Sequence, residues 1–308
     1  LEAHHSWCFA EGEEIVVGRH AVERLGGGHR HEAYLAWDDS LLTLVTVKLL
    51  RPSKIDDPGS RAALAREAEA LTSLQHPVLV RSLDAVLAGD RPHLVLEFLD
   101  GPRLSTLIRR YGVILEQLLP LALQLCSALH YMSSRGIVHL DVKPRNVLMS
   151  APPRLIDLSV ATRLDQVATL AKPTGTDAYM APEQCLPERF HEIGPPSDVW
   201  GLGVTLYEAL ARSRPFPPPS TDAASPEQRW PQLAAEPGPL PGEVPDAAAE
   251  AILSCLEKKP GNRPYAAELA EVLEPLASEL PRARLGLCRP GGRTRRSMFD
   301  PHEETEPK

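Results

Sequence analysis

The chain has 308 residues, 43% hydrophobic and 24% charged, the composition of an ordinary globular protein with enough apolar material for a sizeable core. Its 33 basic and 41 acidic side chains leave a formal charge of −8, which argues against nucleic acid as a main partner. Cys8, Cys126, Cys185, Cys255 and Cys288 lack disulfide or zinc-site spacing and read as small thiols in a reducing, cytoplasmic compartment.

Leu1 stands where methionine would open a chain, so the numbering is expected to begin inside a longer product, with residues 1–18 as a flank. From Arg19 to Leu99 strand signals dominate: Tyr34 to Trp37, Leu44 to Leu50 and Leu94 to Phe98 are short apolar runs between turn-rich segments. One helix interrupts them. It is expected to start near Ser60 as N-cap, to carry Leu64, Leu71 and Leu74 on one face, and to stop at His76-Pro77.

Residues 100–280 read mainly helical. Val113 to Leu129 is broken by Glu116, Gln117, Pro120 and Gln124, which suits an amphipathic helix and not a bilayer span, so no membrane segment is expected. Leu121, Leu125, Ala128 and Met132 form one stripe, and Gly136 is placed to end that helix. Dense prolines between Pro215 and Pro245 forbid long regular structure there. Residues 281–308 turn to Gly, Arg and acidic residues and are expected to be a disordered tail. The pattern predicts an α+β fold of two lobes, a small β-rich one (19–99) and a larger helical one (100–280), with a ligand cleft between them.

The strongest chemical signal is His139-Leu140-Asp141-Val142-Lys143-Pro144-Arg145-Asn146, set between the apolar pairs Ile137-Val138 and Val147-Leu148. Leaving such polar groups buried and unpaired would cost about 1 to 3 kcal/mol each, so they must satisfy one another or a ligand. Asp157, at the end of the apolar run Leu155-Ile156, adds a second carboxylate, which with Asp141 and Asn146 makes an oxygen-rich site suited to magnesium.

With these residues the chain resembles a protein kinase, and the resemblance implies the bilobal kinase fold with ATP and Mg2+ as cofactors. It matches Asp141 to the catalytic-loop aspartate that accepts the substrate hydroxyl proton, and Asn146 and Asp157 to the metal ligands. Asp157-Leu158-Ser159 stands where the family has Asp-Phe-Gly. Val45-Thr46-Val47-Lys48 resembles the strand whose lysine reaches the ATP phosphates.

The partner of that lysine can be chosen on local geometry. Glu67 shares a helical face with Leu64, Leu71 and Leu74, so its carboxylate is pushed into an apolar interface and wants a cation, whereas Glu69 points roughly 200° away toward solvent.

Gly26-Gly27-Gly28-His29-Arg30-His31 would alone read as a hairpin turn; in family order it resembles the phosphate loop, with Gly26 and Gly28 as its first two glycines. His31 replaces the third, which stiffens the loop and brings an imidazole that can meet a phosphate once protonated. Leu96 resembles the residue guarding the back pocket, and the backbone of Glu97 and Leu99 is expected to bind adenine.

Gly175-Thr176 through Ala181-Pro182-Glu183 resembles the substrate-positioning segment, Ser197 to Gly201 the start of the central helix, and Arg263 the partner of Glu183. The match runs from about Arg19 to Leu280. Lys143 and Thr176 resemble the Ser/Thr class, and the compact motifs resemble the eukaryotic-like Ser/Thr kinases of bacteria, which implies protein substrates with serine or threonine acceptors. The sequence says nothing of oligomeric state.

Leu140 stands where kinases switched by activation-loop phosphorylation have arginine, and leucine cannot bind phosphate, so activity is expected not to require phosphorylation of Thr162, Thr169 or Thr174. Two other readings fit the fold. A pseudokinase scaffold is suggested by His31, Leu140 and Ser159, against which stand Lys48, Glu67, Asp141, Lys143, Asn146 and Asp157. A small-molecule phosphotransferase is opposed by Ala181-Pro182-Glu183 with Asp198 and Arg263, which support a protein-substrate platform.

Overall fold

Period-two alternation in the first hundred residues folds into one antiparallel sheet of strands β1 (Glu14–Val16), β2 (Arg19–Gly27), β3 (His31–Asp38), β4 (Thr43–Leu50), β5 (Ser82–Val86) and β6 (His93–Glu97), in the order β1-β2-β3-β4-β6-β5. The computed structural model describes residues 6–218 and 225–280. On one sheet face Val45, Val47 and Leu49 meet Ile15, Tyr34 and Val95. Thr46, Lys48 and Leu50 alternate onto the opposite face, toward the cleft.

Residues 6–18, read as part of a flank, join this lobe. Besides supplying β1, they lay Trp7 and Phe9 over the outer sheet face. The Trp7 indole donates to Leu50 O at 2.7 Å and Tyr34 Oη donates to Trp7 O at 2.8 Å, while the Arg91 guanidinium stacks 5.3 Å from the Trp7 ring. Glu32, wholly buried, accepts from the Trp7 amide at 3.1 Å and pairs with Arg51 at 2.7 Å.

Helix α1 (Pro58–Ser73) begins earlier than expected. Its N-cap is Asp57, whose carboxylate accepts from the Ser60 amide at 2.8 Å and the Ser60 hydroxyl at 2.6 Å; Ser60 serves the cap from inside the first turn. Pro58 at the first helical position forfeits no helical hydrogen bond. The buried face carries Leu64, Glu67 and Leu71.

The large lobe is built around α3 (Leu115–Ser134), whose stripe of Leu121, Leu125, Ala128 and Met132 is wholly buried, and Gly136 ends it at φ +69° as expected. The short α2 (Leu104–Arg110) precedes it. Two-residue strands follow: β7 (Ile137–Val138), β8 (Val147–Leu148), β9 (Arg154–Leu155) and β10 (Thr162–Arg163), with β7 paired to β10 and β8 to β9. Then come α4 (Pro182–Cys185), α5 (Pro187–Phe190), α6 (Pro195–Ala211), α7 (Pro226–Arg229), α8 (Asp246–Ser254) and α9 (Ala266–Glu279).

Helix α6 is buried almost throughout because Gly201 and Gly203 allow close approach: a Cβ at Gly203 would lie 2.5 Å from that of Cys255. Between Pro226 and Leu233 the proline-rich stretch forms only one-turn pieces. Among the described residues no helix is long and apolar enough to cross a membrane. The expected tail and Cys288 lie outside the described residues.

Trp7→Ala removes a ring and an indole hydrogen bond from the outer face of the small lobe. Because Trp7 is only half-buried, the expected loss is roughly 2 kcal/mol, short of the ~3–5 kcal/mol of a fully buried ring. Urea denaturation of the two proteins measures it, and an unchanged midpoint would show that the segment contributes nothing to the lobe.

Candidate active site

Alternation along β4 turns Lys48 away from the outer core, and the register β3–β4 sets it opposite Ala33. Its ammonium donates to both Glu67 oxygens, at 2.7 and 2.8 Å, and to Asp157 Oδ1 at 2.9 Å. Glu67 is 1% exposed, whereas Glu69 faces solvent, so the helical-face argument chose correctly. Burial opposes the charge on Lys48, but the fields of Glu67 and then Asp157 override it and hold its pKa above the usual lysine range. Burial acts on Asp157 in the upward direction too. Lys48 more than reverses it, with help from the Ser159 hydroxyl, so the Asp157 carboxylate stays ionised well below the usual range.

Asp157 sits at φ +69° and Leu140 at φ +61°, conformations that L-residues other than glycine rarely adopt. Leu140 is held there by Asp198. That buried carboxylate accepts from the amides of His139 and Leu140, each at 2.7 Å. The Leu140 side chain, 3% exposed, packs with Val138 and Ile193 and against Val160, Leu164, Val167 and Leu170 of the following segment.

The loop between β7 and β8 collects the polar groups around Asp141. Thr176 Oγ1 donates to Asp141 Oδ1 at 2.7 Å, Lys143 Nζ donates to Asp141 Oδ2 and to Thr176 Oγ1 at 2.6 Å each, and Asn146 Nδ2 donates to Asp141 Oδ2 at 3.0 Å. Spending the amide nitrogen on Asp141 makes the oxygen of Asn146 the end that can ligate a cation. Asp141, Lys143, Asn146, Lys48, Glu67 and Asp157 are thus assembled in two adjoining clusters, with Lys48 and Asp157 linking the lobes.

The glycine segment forms the expected hairpin between β2 and β3, closed by the Gly28 amide donating to His31 O at 2.9 Å. Its steric demands differ from the motif. A Cβ on Gly27 would fall 2.8 Å from His31 O, while Gly26 and Gly28 have open space; Gly26 is needed for its φ of +132°.

His31 must be corrected. It opens β3 opposite Leu50, is 9% exposed, and has no partner for Nε2. Burial, and next the field of Lys48, lower its pKa to about 3, which disfavours the protonated form that a phosphate contact needs.

At the hinge, the Glu97 carboxylate pairs with Arg81 at 2.9 Å and its amide donates to Arg81 O at 3.0 Å. Leu99 has no backbone hydrogen bond among the described residues.

The segment after Thr176 is braced by residues that motif reading passed over. Gln184 Nε2 donates to Leu140 O and to Thr174 O, each at 2.8 Å, tying the loop that carries Asp141 to the segment before Thr176. Gln232 donates to Asp177 O at 2.7 Å and Met180 O at 3.0 Å, and the Trp230 indole donates to Asp177 Oδ1 at 3.2 Å. A lone tryptophan in a proline-rich stretch was the available signal. Arg263 grips Glu183 bidentately at 2.7 and 2.9 Å, both wholly buried, with Ser197 as third donor. A Cβ on Gly175 would fall 2.6 Å from Leu140 O, so glycine is required where this segment crosses the loop that carries Asp141.

The protein kinase domain family matches residues 19–272. Among curated proteins, the chain is 32% identical to the serine/threonine-protein kinase PknB of Mycolicibacterium smegmatis, over 78% of this chain and 40% of the relative. It is 31% identical to the serine/threonine-protein kinase pkn2 of Myxococcus xanthus, over 90% of this chain and 34% of that one. With PknB of Mycobacterium leprae it shares 34% identity over 62% of this chain and 32% of the relative. The chain thus spans about a third to two fifths of the length of the curated relatives it matches.

His31 titrates near 3 in the fold against 6.5 when unfolded, so its contribution is complete above pH 6.5 and is lost as pH falls toward 3. Over that window this single group should steepen the fall of unfolding free energy by up to ~1.4 kcal/mol per pH unit. Urea titrations of wild type and His31→Leu between pH 7 and 5 test it: the variant should show the shallower slope, and equal slopes would place His31 in solvent.

Proposed function

The chain belongs to the protein kinase family, and we propose that it transfers the γ-phosphoryl group of Mg-ATP to serine and threonine hydroxyls of proteins. The observation that carries this reading is the convergence of Lys143, Asn146 and Thr176 on the Asp141 carboxylate beside the Lys48–Asp157 pair. The donor set suits magnesium. Asp157 is held ionised and Asn146 offers an oxygen, while no group of three or more His, Cys, Asp or Glu side chains among the described residues could make an all-protein cage. That is the pattern of an ion that keeps phosphate and water ligands. Magnesium-bound ATP supplies the electrophilic phosphorus and the metal charge that screens the phosphates.

The chain's own residues do the positioning. Lys48, oriented by Glu67, is placed to hold phosphate oxygens, and the backbone of Gly26 through Gly28 to cover them. Asp141 is placed to orient the acceptor hydroxyl and take its proton, and Lys143, two residues on, to offset charge on the moving phosphoryl group. Thr176 fixes the Asp141 rotamer, which ties the substrate segment directly to the base. The platform of Ala181 to Glu183, locked by Arg263, supports a polypeptide acceptor over a small molecule. Use of ATP together with unpaired Cys8, Cys126, Cys185 and Cys255 supports a cytoplasmic setting.

Leu140 supports constitutive ordering of the activation segment. Its apolar cluster does by packing what a phosphate paired with arginine does by charge, so activity does not await phosphorylation of Thr162, Thr169 or Thr174.

With radiolabelled ATP, magnesium and a generic protein acceptor, wild type should place label on serine or threonine. Asp141→Asn should lower kcat by about 10²–10⁴-fold while still binding nucleotide, and Lys48→Met should fail as well. Wild-type activity in Asp141→Asn would overturn the assignment, and nucleotide binding without transfer by wild type would favour a pseudokinase. Phosphatase-treated protein, and a Thr162/Thr169/Thr174→Ala variant, should keep activity within about twofold, since none of these hydroxyls touches the Asp141 cluster. A loss of activity on phosphatase treatment would refute the packing account.

A further inference from the structure

Two arginines at the mouth of the candidate site have no role in the account above. Arg103 precedes α2 and bridges to Leu148, and its guanidinium Nη1 donates to the backbone carbonyl of Arg145. Arg145 lies on the catalytic loop, two residues after Lys143 and directly before Asn146, with its side chain in solvent. Neither guanidinium makes an ion pair with any carboxylate among the described residues. Asp100, three residues before Arg103, is exposed and pairs with neither.

Physical cost makes the pairing informative. Arg103 is partly buried, and burial followed by the charge of Arg145 both push its pKa down, with Asp157 acting the other way. Arg103 is anchored to the Arg145 backbone while no carboxylate among the described residues balances either cation, a cost that an anion relieves, and planar guanidinium forks suit a carboxylate or phosphoryl group.

We infer that Arg103 and Arg145 form a substrate subsite for an anionic side chain flanking the acceptor hydroxyl, so that this chain selects acidic or already phosphorylated segments over basic ones. The inference rests on the protein-kinase reading above and narrows its substrate class. Arg145 shares the catalytic loop with Asp141, and Arg103 is anchored to that loop through the Arg145 carbonyl. An anion held there is therefore fixed relative to the acceptor hydroxyl. The pair acts as a specificity device: it attracts one class of flanking residue and repels arginine and lysine.

The test uses the full chain with Mg-ATP and four peptides sharing one serine acceptor, flanked by Asp/Glu, by phosphoserine, by Ala or by Arg. Wild type should show kcat/KM for the Asp/Glu peptide about tenfold or more above that for the Arg peptide, and the preference should shrink as salt rises. In Arg103→Glu/Arg145→Glu the order of the two should reverse. Phosphoserine exceeding Asp/Glu would identify a phosphorylated segment as the natural source of the anion, and the opposite order an acidic one.

Transfer to all peptides without an acidic preference would overturn the subsite and leave the kinase reading standing. A raised KM for ATP in the double variant with the peptide order unchanged would assign the arginines to nucleotide instead, and would equally overturn it. If no peptide is phosphorylated, the kinase reading fails. Fluorescence anisotropy of labelled peptides then still decides the subsite: the acidic peptide must bind about tenfold more tightly than the Arg peptide to wild type and lose that advantage in the double variant.

Discussion

The Lys48 ammonium between the carboxylates of Glu67 and Asp157 is the interaction on which the rest of the site depends. Three ionised groups come together where side-chain exposure is 14% for Lys48 and 1% for Glu67, and their desolvation is repaid only if the contacts are close. Each comes from a different element: β4, α1 and the turn after β9. Holding them within 2.7 to 2.9 Å therefore fixes the helix against the sheet and the sheet against the large lobe. One positive charge against two negative ones leaves the cluster with an excess of negative charge, which suits a divalent cation at Asp157. A buried ion arrangement of this kind is weak evidence of stabilisation by itself, since apolar residues of equal volume would do as well. Its retention is better explained by what it positions than by what it stabilises.

The catalytic loop is held by the opposite strategy, a buried anion that accepts from backbone. Asp198 draws in the amides of His139 and Leu140, and burial raises its pKa even as those donors and His139 favour the charge. Two charge-assisted hydrogen bonds offset the ~1–3 kcal/mol that a non-glycine residue costs in the left-handed region. Once the backbone at Leu140 is fixed in that conformation, its side chain is directed into the apolar cluster under the activation segment, while Gln184 ties the Leu140 carbonyl to Thr174. The loop is gripped from below by charge, from the side by an amide and from above by packing.

Local motifs carried most of this site because their residues are close in sequence or lie on one helical face. Asp141, Lys143 and Asn146 span six residues, and Glu67 separates from Glu69 by simple helical geometry. The two strands framing the catalytic loop were legible as apolar pairs, although each pairs with a partner that no sequence pattern reveals. What remained hidden depends on tertiary register. Trp7 and Phe9 read as a flank because their partners, Tyr34, Leu50 and Arg91, are distant in sequence. Ser60 read as an N-cap because serine and aspartate are equally good caps, and the proline at 58 decides in favour of Asp57. His31 misled because a glycine-loop histidine suggests an exposed cation. Its strand register, opposite buried Leu50, puts it inside.

The same register explains how the outer segment reaches the glycine hairpin between β2 and β3. Glu32 follows His31, and period two sends its side chain to the opposite face, where it meets the Trp7 amide, Arg24 and Arg51. Arg51 in turn donates to the Gly28 carbonyl at 2.7 Å. The base of the loop is therefore clamped through a wholly buried carboxylate, while the space around Gly26 and Gly28 stays open. Gly28, whose carbonyl Arg51 holds, belongs to that anchored root, while Gly26 takes a φ of +132° that only glycine adopts readily. The aromatic strap of Trp7 and Phe9 belongs to the root as much as β2 and β3 do.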